Sequence, residues 1–166
     1  HGQAIWVANF IADRPGAEAI ILHSGHTGDF MTVDAATGTE IARFHHTTVK
    51  QRAYPDFPCP VNWTGLDVQS LWIPVDRSIV DGRGNVLAAL GELEPRVHEV
   101  LQWGNSKSNL AVQALAIDIC GDGHDELILY QPYEGRGVFI FTQPDSDGHA
   151  KPYRHSKAAY NLRTYF

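Results

Sequence analysis

Three groups of residues in this sequence are of types that could do chemistry. The first is Asp118-Ile119-Cys120-Gly121-Asp122-Gly123-His124-Asp125-Glu126. Carboxylates alternating around glycines let oxygens converge on a hard cation, so Asp118 and Asp122 are candidate calcium ligands. Cys120 stands where a calcium loop would carry Asp or Asn, and the same segment equally suits an acidic turn between strands. The second group is histidine, nine of the 166 residues. His1 and His23 sit at the two ends of an opening hairpin. His45 and His46, adjacent at a strand end, point to opposite faces; with His98, His149 and His155 they read as ordinary surface or core residues. The third is Lys107, in the polar stretch Gly104-Asn105-Ser106-Lys107-Ser108-Asn109. A lysine becomes a base where a pocket lowers its pKa, which spacing does not reveal, and composition alone makes Lys107 a solvated loop residue.

The elements that must position these groups repeat. Asn9-Phe10-Ile11-Ala12-Asp13-Arg14-Pro15-Gly16-Ala17-Glu18 leads into the apolar run Ala19 to Leu22. Asn62-Trp63-Thr64-Gly65-Leu66-Asp67-Val68-Gln69 leads into Ser70 to Ile73, and Asp118 to Glu126 leads into Leu127 to Tyr130. The starts, 9, 62 and 118, are 53 and 56 residues apart. Each unit then continues as a hairpin: Phe30 to Val33 before Glu40 to Phe44, Ser78 to Val80 before Asn85 to Ala88, and Gly137 to Phe141 before Asp145 to Gly148. Asp/Gly turns between short apolar strands are strong hairpin signals. The aromatics Trp6, Trp63, Trp72 and Trp103 fall in strands or at their edges, where such residues fill a core.

Units of this length with about four strands match propeller blades. The expected fold is all-β, a partial β-propeller over 1–166 with blades near 1–55, 56–110 and 111–166. Propellers close with about 4–8 blades, so three imply a longer chain with further blades before His1. The absence of an initiating Met fits that expectation. Terminal blades without neighbours would expose apolar faces. The alternative is a small β-sandwich.

Composition suits a folded domain: 43% of residues are hydrophobic and 19% charged, with 15 glycines and 9 prolines. The net charge of -6 supplies no basic stripe for nucleic acid, and no apolar run reaches membrane-spanning length. Cys59 and Cys120, 61 positions apart, form neither a zinc pattern nor a disulfide framework; one bridge or two buried thiols would both be compatible.

The motifs together resemble a family. His1-Gly2-Gln3-Ala4, Ala8-Asn9-Phe10 and Asp13-Arg14-Pro15-Gly16-Ala17-Glu18 resemble a signature of the rhamnogalacturonan lyases, and Gly104-Asn105-Ser106-Lys107 with Ile117 to Asp122 resembles a second. Tyr160-Asn161 matches a late Tyr-Asn of the same family. The resemblance implies a secreted or periplasmic, calcium-dependent β-propeller that cleaves an acidic, uronate-containing polysaccharide by β-elimination. It implies Lys107 as the base, His1 and Gln3 as metal or uronate contacts with His23 nearby, and Tyr160 as an acid or substrate contact. Two of its acidic ligands are replaced, by Gln3 and by Ser24, and its substrate-steadying basic residue has no counterpart in Phe57 to Trp63. The rival reading is a non-catalytic, calcium-stabilised propeller that binds glycans or proteins, since the acidic loops are also similar to integrin-type repeats. There Asp118 and Asp122 would hold a structural ion and Lys107 would be loop surface.

Overall fold

The computed structural model describes residues 4–24, 29–45, 58–74, 76–89, 113–130 and 137–143. Among them all regular structure is strand, in three antiparallel sheets whose strands follow one another in chain order. Sheet 1 consists of β1 (Ala4–Ala8), β2 (Glu18–Ser24), β3 (Asp29–Asp34) and β4 (Glu40–His45). Sheet 2 consists of β5 (Cys59–Val61), β6 (Ser70–Ile73), β7 (Ser78–Val80) and β8 (Val86–Ala89). Sheet 3 consists of β9 (Gln113–Ile117), β10 (Glu126–Tyr130) and β11 (Val138–Phe141). No helix long and apolar enough to cross a membrane occurs among the described residues.

Side chains alternate across each strand, and this alternation assigns the two faces of every sheet. Trp6, Ile20, Leu22 and Phe30 of sheet 1 pack with Leu71, Ile73 and Val80 of sheet 2. Trp72, Ile79 and Val61, on the other face of sheet 2, pack with Leu127 and Leu129 of sheet 3. Sheet 2 is therefore covered on both faces. This is why Ser70–Ile73 and Ser78–Val80 are buried at every position, whereas β1 alternates between buried Trp6 and exposed Ile5 and Val7.

The junctions between sheets repeat one another. The N–H of Gln69, just before β6, donates to the carbonyl of Asn9, just after β1, at 2.7 Å. The N–H of Asp125, just before β10, donates to the carbonyl of Asn62, just after β5, at 2.9 Å. Close approach seals both junctions. Gly82 donates to the Phe10 carbonyl and its own carbonyl accepts from the Thr32 hydroxyl, and a Cβ there would meet Phe10 and Ile11 within 2.8 Å. At Gly65, with φ +66°, a Cβ would meet the His124 ring at 2.6 Å.

Within each sheet, short polar side chains close the turns. One Asp34 carboxylate oxygen accepts from the N–H groups of Ala36 and Thr37, and one Asp81 oxygen accepts from Arg83 and Asn85. β4 and β8 each carry one extra residue at the same place, opposite the ends of β3 and β7. The all-β class and the three-unit repeat expected from sequence are present. Sheets 1 and 2 have four strands and sheet 3 has three described strands, and among the described residues no sheet closes on itself; the Asp/Gly turn expected after Phe141, 145–148, lies outside the described residues.

Glu18 and Glu126, each 1% exposed, open the second strand of sheets 1 and 3. Glu18 Oε2 accepts the Phe10 N–H at 2.8 Å. Glu126 Oε2 accepts those of Ile119 at 2.7 Å and Cys120 at 3.2 Å. Both carboxylates fold the preceding loop back onto its own strand. Glu126→Ala leaves two backbone donors to be satisfied and should lower unfolding free energy by about 3 kcal/mol. Glu126→Gln, which keeps a carbonyl acceptor, should lose less than half of that. Urea titrations of the two variants provide the comparison.

Candidate functional site

The meander gives the molecule two ends of different character. At the turn end lie the loops 9–17, 62–69 and 118–125, side by side through the Gln69–Asn9 and Asp125–Asn62 hydrogen bonds, together with the turns at Asp34 and Asp81. At the strand-entry end the chain enters β1 beside the finish of β2, since Ala4 pairs with Leu22. It likewise leaves β8 at Ala89, opposite Ser78, and enters β9 at Gln113, opposite Tyr130.

Asp118 and Asp122 belong to the turn end, and there their carboxylates build the loop. Asp118 Oδ1 accepts from the N–H groups of Gly121 at 2.5 Å and Asp122 at 3.2 Å, and Oδ2 accepts from Gly123 at 3.0 Å. Gly121 and Gly123 both take left-handed φ, 76° and 87°, which turns these N–H groups inward. Asp122 Oδ1 accepts the His124 N–H at 2.9 Å. Both oxygens of Asp118 thus meet backbone donors, and no three His, Cys, Asp or Glu side chains among the described residues form a group that could hold a metal ion. These contacts build an acidic turn, the device already seen at Asp34 and Asp81.

His23 belongs to the strand-entry end. It is exposed and is the extra residue where the β2–β3 register shifts between Leu22 and Ser24. Such bulges re-aim a side chain and are frequent beside functional sites. His23 is five positions along β2 from Glu18, ~17 Å at the rise of a strand, and so stands at the opposite end of the sheets from the Asp118–Asp122 loop. His1, Gln3, Lys107 and Tyr160 lie outside the described residues, as do His46, Trp103, His98, His149 and His155. His45, taken as an ordinary surface residue, is exposed and pairs with Asp29 at 2.8 Å.

The motif Asp13-Arg14-Pro15-Gly16-Ala17-Glu18 is at the turn end and holds the scaffold. Arg14 pairs with Asp34 at 3.1 Å and lies 3.8 Å from Glu18, tying the first loop to the β3–β4 turn. Asp13 pairs with Arg83 of sheet 2 at 2.8 Å, and Arg83 holds the Asp13 carboxyl below its usual pKa. Beside this pair is a groove of about 230 Å³ between the first two loops, lined by Phe10, Ile11, Leu66 and Leu87. Sequence reading had Arg83 only as a turn residue; that it reaches Asp13, 70 positions earlier, leaves no local trace in the sequence.

Neither cysteine is in a disulfide. Cys120 is exposed rather than buried, and its hydrogen bond to the Glu126 carboxylate raises the thiol pKa, the opposite of what a nucleophile needs.

No family model, curated protein or solved structure matches this chain. The two ends must therefore be judged on their own contacts: the turn end holds the sheets together, and the strand-entry end carries the exposed, bulged His23.

Asp125, half-buried at the sheet 2–sheet 3 junction, accepts the Asn62 N–H at 2.7 Å. Burial raises its pKa, opposed by that hydrogen bond. A carboxyl whose folded pKa is raised contributes stability below its unfolded value, and the contribution is lost as pH rises through the folded value. Asp125→Asn keeps an acceptor for Asn62 and removes the charge. Its thermal midpoint relative to the wild type should therefore rise between pH ~4 and pH ~7, as followed by circular dichroism in parallel melts.

Proposed function

We propose that the chain supplies three consecutive blades of a β-propeller in a secreted or periplasmic polysaccharide lyase. Its substrate is a uronic-acid-containing polysaccharide of the rhamnogalacturonan kind, cleaved by β-elimination. The observation that carries the propeller part is the repeated junction. Sheet 1 offers the Asn9 carbonyl to sheet 2 as sheet 2 offers the Asn62 carbonyl to sheet 3, and each packs the matching alternate residues against the sheet that follows, a repetition that supports a radial arrangement. In a longer chain the two outer faces would be covered by neighbouring blades.

The lyase part rests on the resemblance of His1-Gly2-Gln3-Ala4 and of Gly104-Asn105-Ser106-Lys107 to the rhamnogalacturonan lyases, supported by the position of His23. That residue stands exposed at the end where β1 is entered, and Ala89 and Gln113, the nearest described residues on either side of Lys107, are at strand ends of the same kind. In this reading Lys107 removes the proton at C5 of the uronate. The electron pair becomes the C4–C5 double bond as the C4–O4 bond breaks, and Tyr160 protonates the departing oxygen. His1, Gln3 and His23 hold the substrate carboxylate. Calcium dependence comes from the resemblance alone, and no step here runs through the ion.

The test is ultraviolet absorbance of unsaturated uronate ends on rhamnogalacturonan and on other uronate polymers, with calcium or with chelator. Lys107→Ala should reduce the rate ~100-fold or more with the fold intact by circular dichroism. Unchanged activity in that variant would remove Lys107 from the chemistry. A folded protein inactive on every polymer would instead favour the non-catalytic propeller that binds glycans or proteins, a reading supported by the scaffold role of the described motif residues.

A further inference from the structure

The chain makes its left-handed turns with glycine and departs from that once. Among the described residues, Arg77 is the one non-glycine position with left-handed φ, 52°. The turns after β3 and β7 use Gly38 and Gly84, with φ 73° and 86°. A side chain at such a position costs strain that glycine avoids. Arg77 ends the turn between β6 and β7, and its N–H donates to the Pro74 carbonyl at 3.2 Å. The next residue is also out of pattern. Ser78 pairs with Ile73 and so shares its face toward sheet 1. It stands opposite the fourth residue of the second strand, where sheet 1 has Met31 and sheet 3 has Phe139. Ser78 is 4% exposed, and its hydroxyl has no hydrogen-bond partner among the described residues. Burying a hydroxyl unpaired costs stability as well. Two such departures side by side mark a place kept for function rather than for packing.

Both residues belong to the strand-entry end. β6 runs from Ser70 at the turn end to Ile73, as β2 runs from Glu18 to the bulged His23 and Ser24. Counted from the first residue of each second strand, Pro74 is level with Leu22, the residue before His23. Sheets packed face to face lie ~10 Å apart, so Arg77 and His23 flank one junction. The other described arginines stand elsewhere: Arg14 and Arg83 at the turn end, beside Asp34 and Asp13, and Arg43 beside Glu40 along β4. Asp29, opposite Ser24, and Asp76, in the β6–β7 turn, are also at the strand-entry end. Their charges oppose an anionic ligand unless a cation offsets them. We infer that Arg77 joins His23 in holding the substrate carboxylate, its planar fork taking both carboxylate oxygens, and thereby sets a preference for uronate over neutral sugar. This deepens the lyase reading and rests on it for the end at which the polysaccharide is held.

The test is calorimetric titration with a rhamnogalacturonan oligosaccharide and with the same oligosaccharide after its carboxylates are reduced to alcohols. The wild type should bind the acidic form ~10-fold or more tightly than the reduced one. Arg77→Gly should raise Kd for the acidic form ~10-fold or more and leave that for the reduced form unchanged. Glycine takes this φ without a Cβ penalty, so the variant should melt at or above the wild-type temperature. A lower melting temperature would make the guanidinium a group that holds the fold, and unchanged acidic binding would remove it from the site; either result overturns the inference. So does a wild type that binds the two forms alike. Ultraviolet absorbance of unsaturated uronate ends, followed on the same samples, separates the two ideas. Arg77-dependent binding without cleavage ends the lyase reading and keeps the arginine contact, whereas cleavage with an unaltered KM in Arg77→Gly does the reverse. A wild type that binds neither form ends both.

Discussion

A sheet that is apolar on both faces has to be covered twice, and sheet 2 is the sheet on which this molecule depends. Leu71, Ile73 and Val80 face one neighbour while Trp72, Ile79 and Val61 face the other. Without sheet 1 or sheet 3, one of these faces would meet water. Fully burying a side chain of this size is worth roughly 1.5–3 kcal/mol. The loops serve the same constraint: Gly82 and Gly65 are bare at Cβ because Phe10 and the His124 ring need their space.

The repeat was legible in the sequence because it is built from local signals. The expected loop starts, 9, 62 and 118, are the first residues after β1, β5 and β9, and the Asp/Gly turns mark where β3 meets β4 and β7 meets β8. Asn9, Asn62 and Asp118 stand out in sequence because each begins a loop, and Asn9 and Asn62 bond across to the next sheet's loop through both the backbone carbonyl and the side-chain amide. The face assignments followed less directly. Alternation in β1 shows that one face is covered, but the unbroken apolar runs of β6 and β7 have no period, and only the neighbours on both sides explain them.

The candidate site was less legible, and for a physical reason. Asp118-Ile119-Cys120-Gly121-Asp122-Gly123 carries the residue types of a cation loop and of a self-capped turn alike, because both need carboxylate oxygens near left-handed glycines. Backbone N–H bonds to Asp118, made on both oxygens, are common to the two, because each carboxylate oxygen has a second lone pair. His23 shows the reverse: in the sequence only the resemblance marks it, and its bulge arises from pairing with β3, which one strand cannot announce. The buried Glu18 and Glu126 were hidden in the same way, since a carboxylate at the head of a strand looks solvent-facing until its loop folds back over it.

The two matching backbone bonds between successive sheets, from Gln69 to Asn9 and from Asp125 to Asn62, tolerate different donors. Each joint is also latched by an asparagine side chain: Asn9 Nδ2 donates to the Asp67 carbonyl and Asn62 Nδ2 to the Gly123 carbonyl. A joint of this kind is a keyed coupling, in which a unit that ends its first strand in asparagine fits the loop of the next. Whole units of 50-odd residues could be duplicated or exchanged in register as long as each brings its own key.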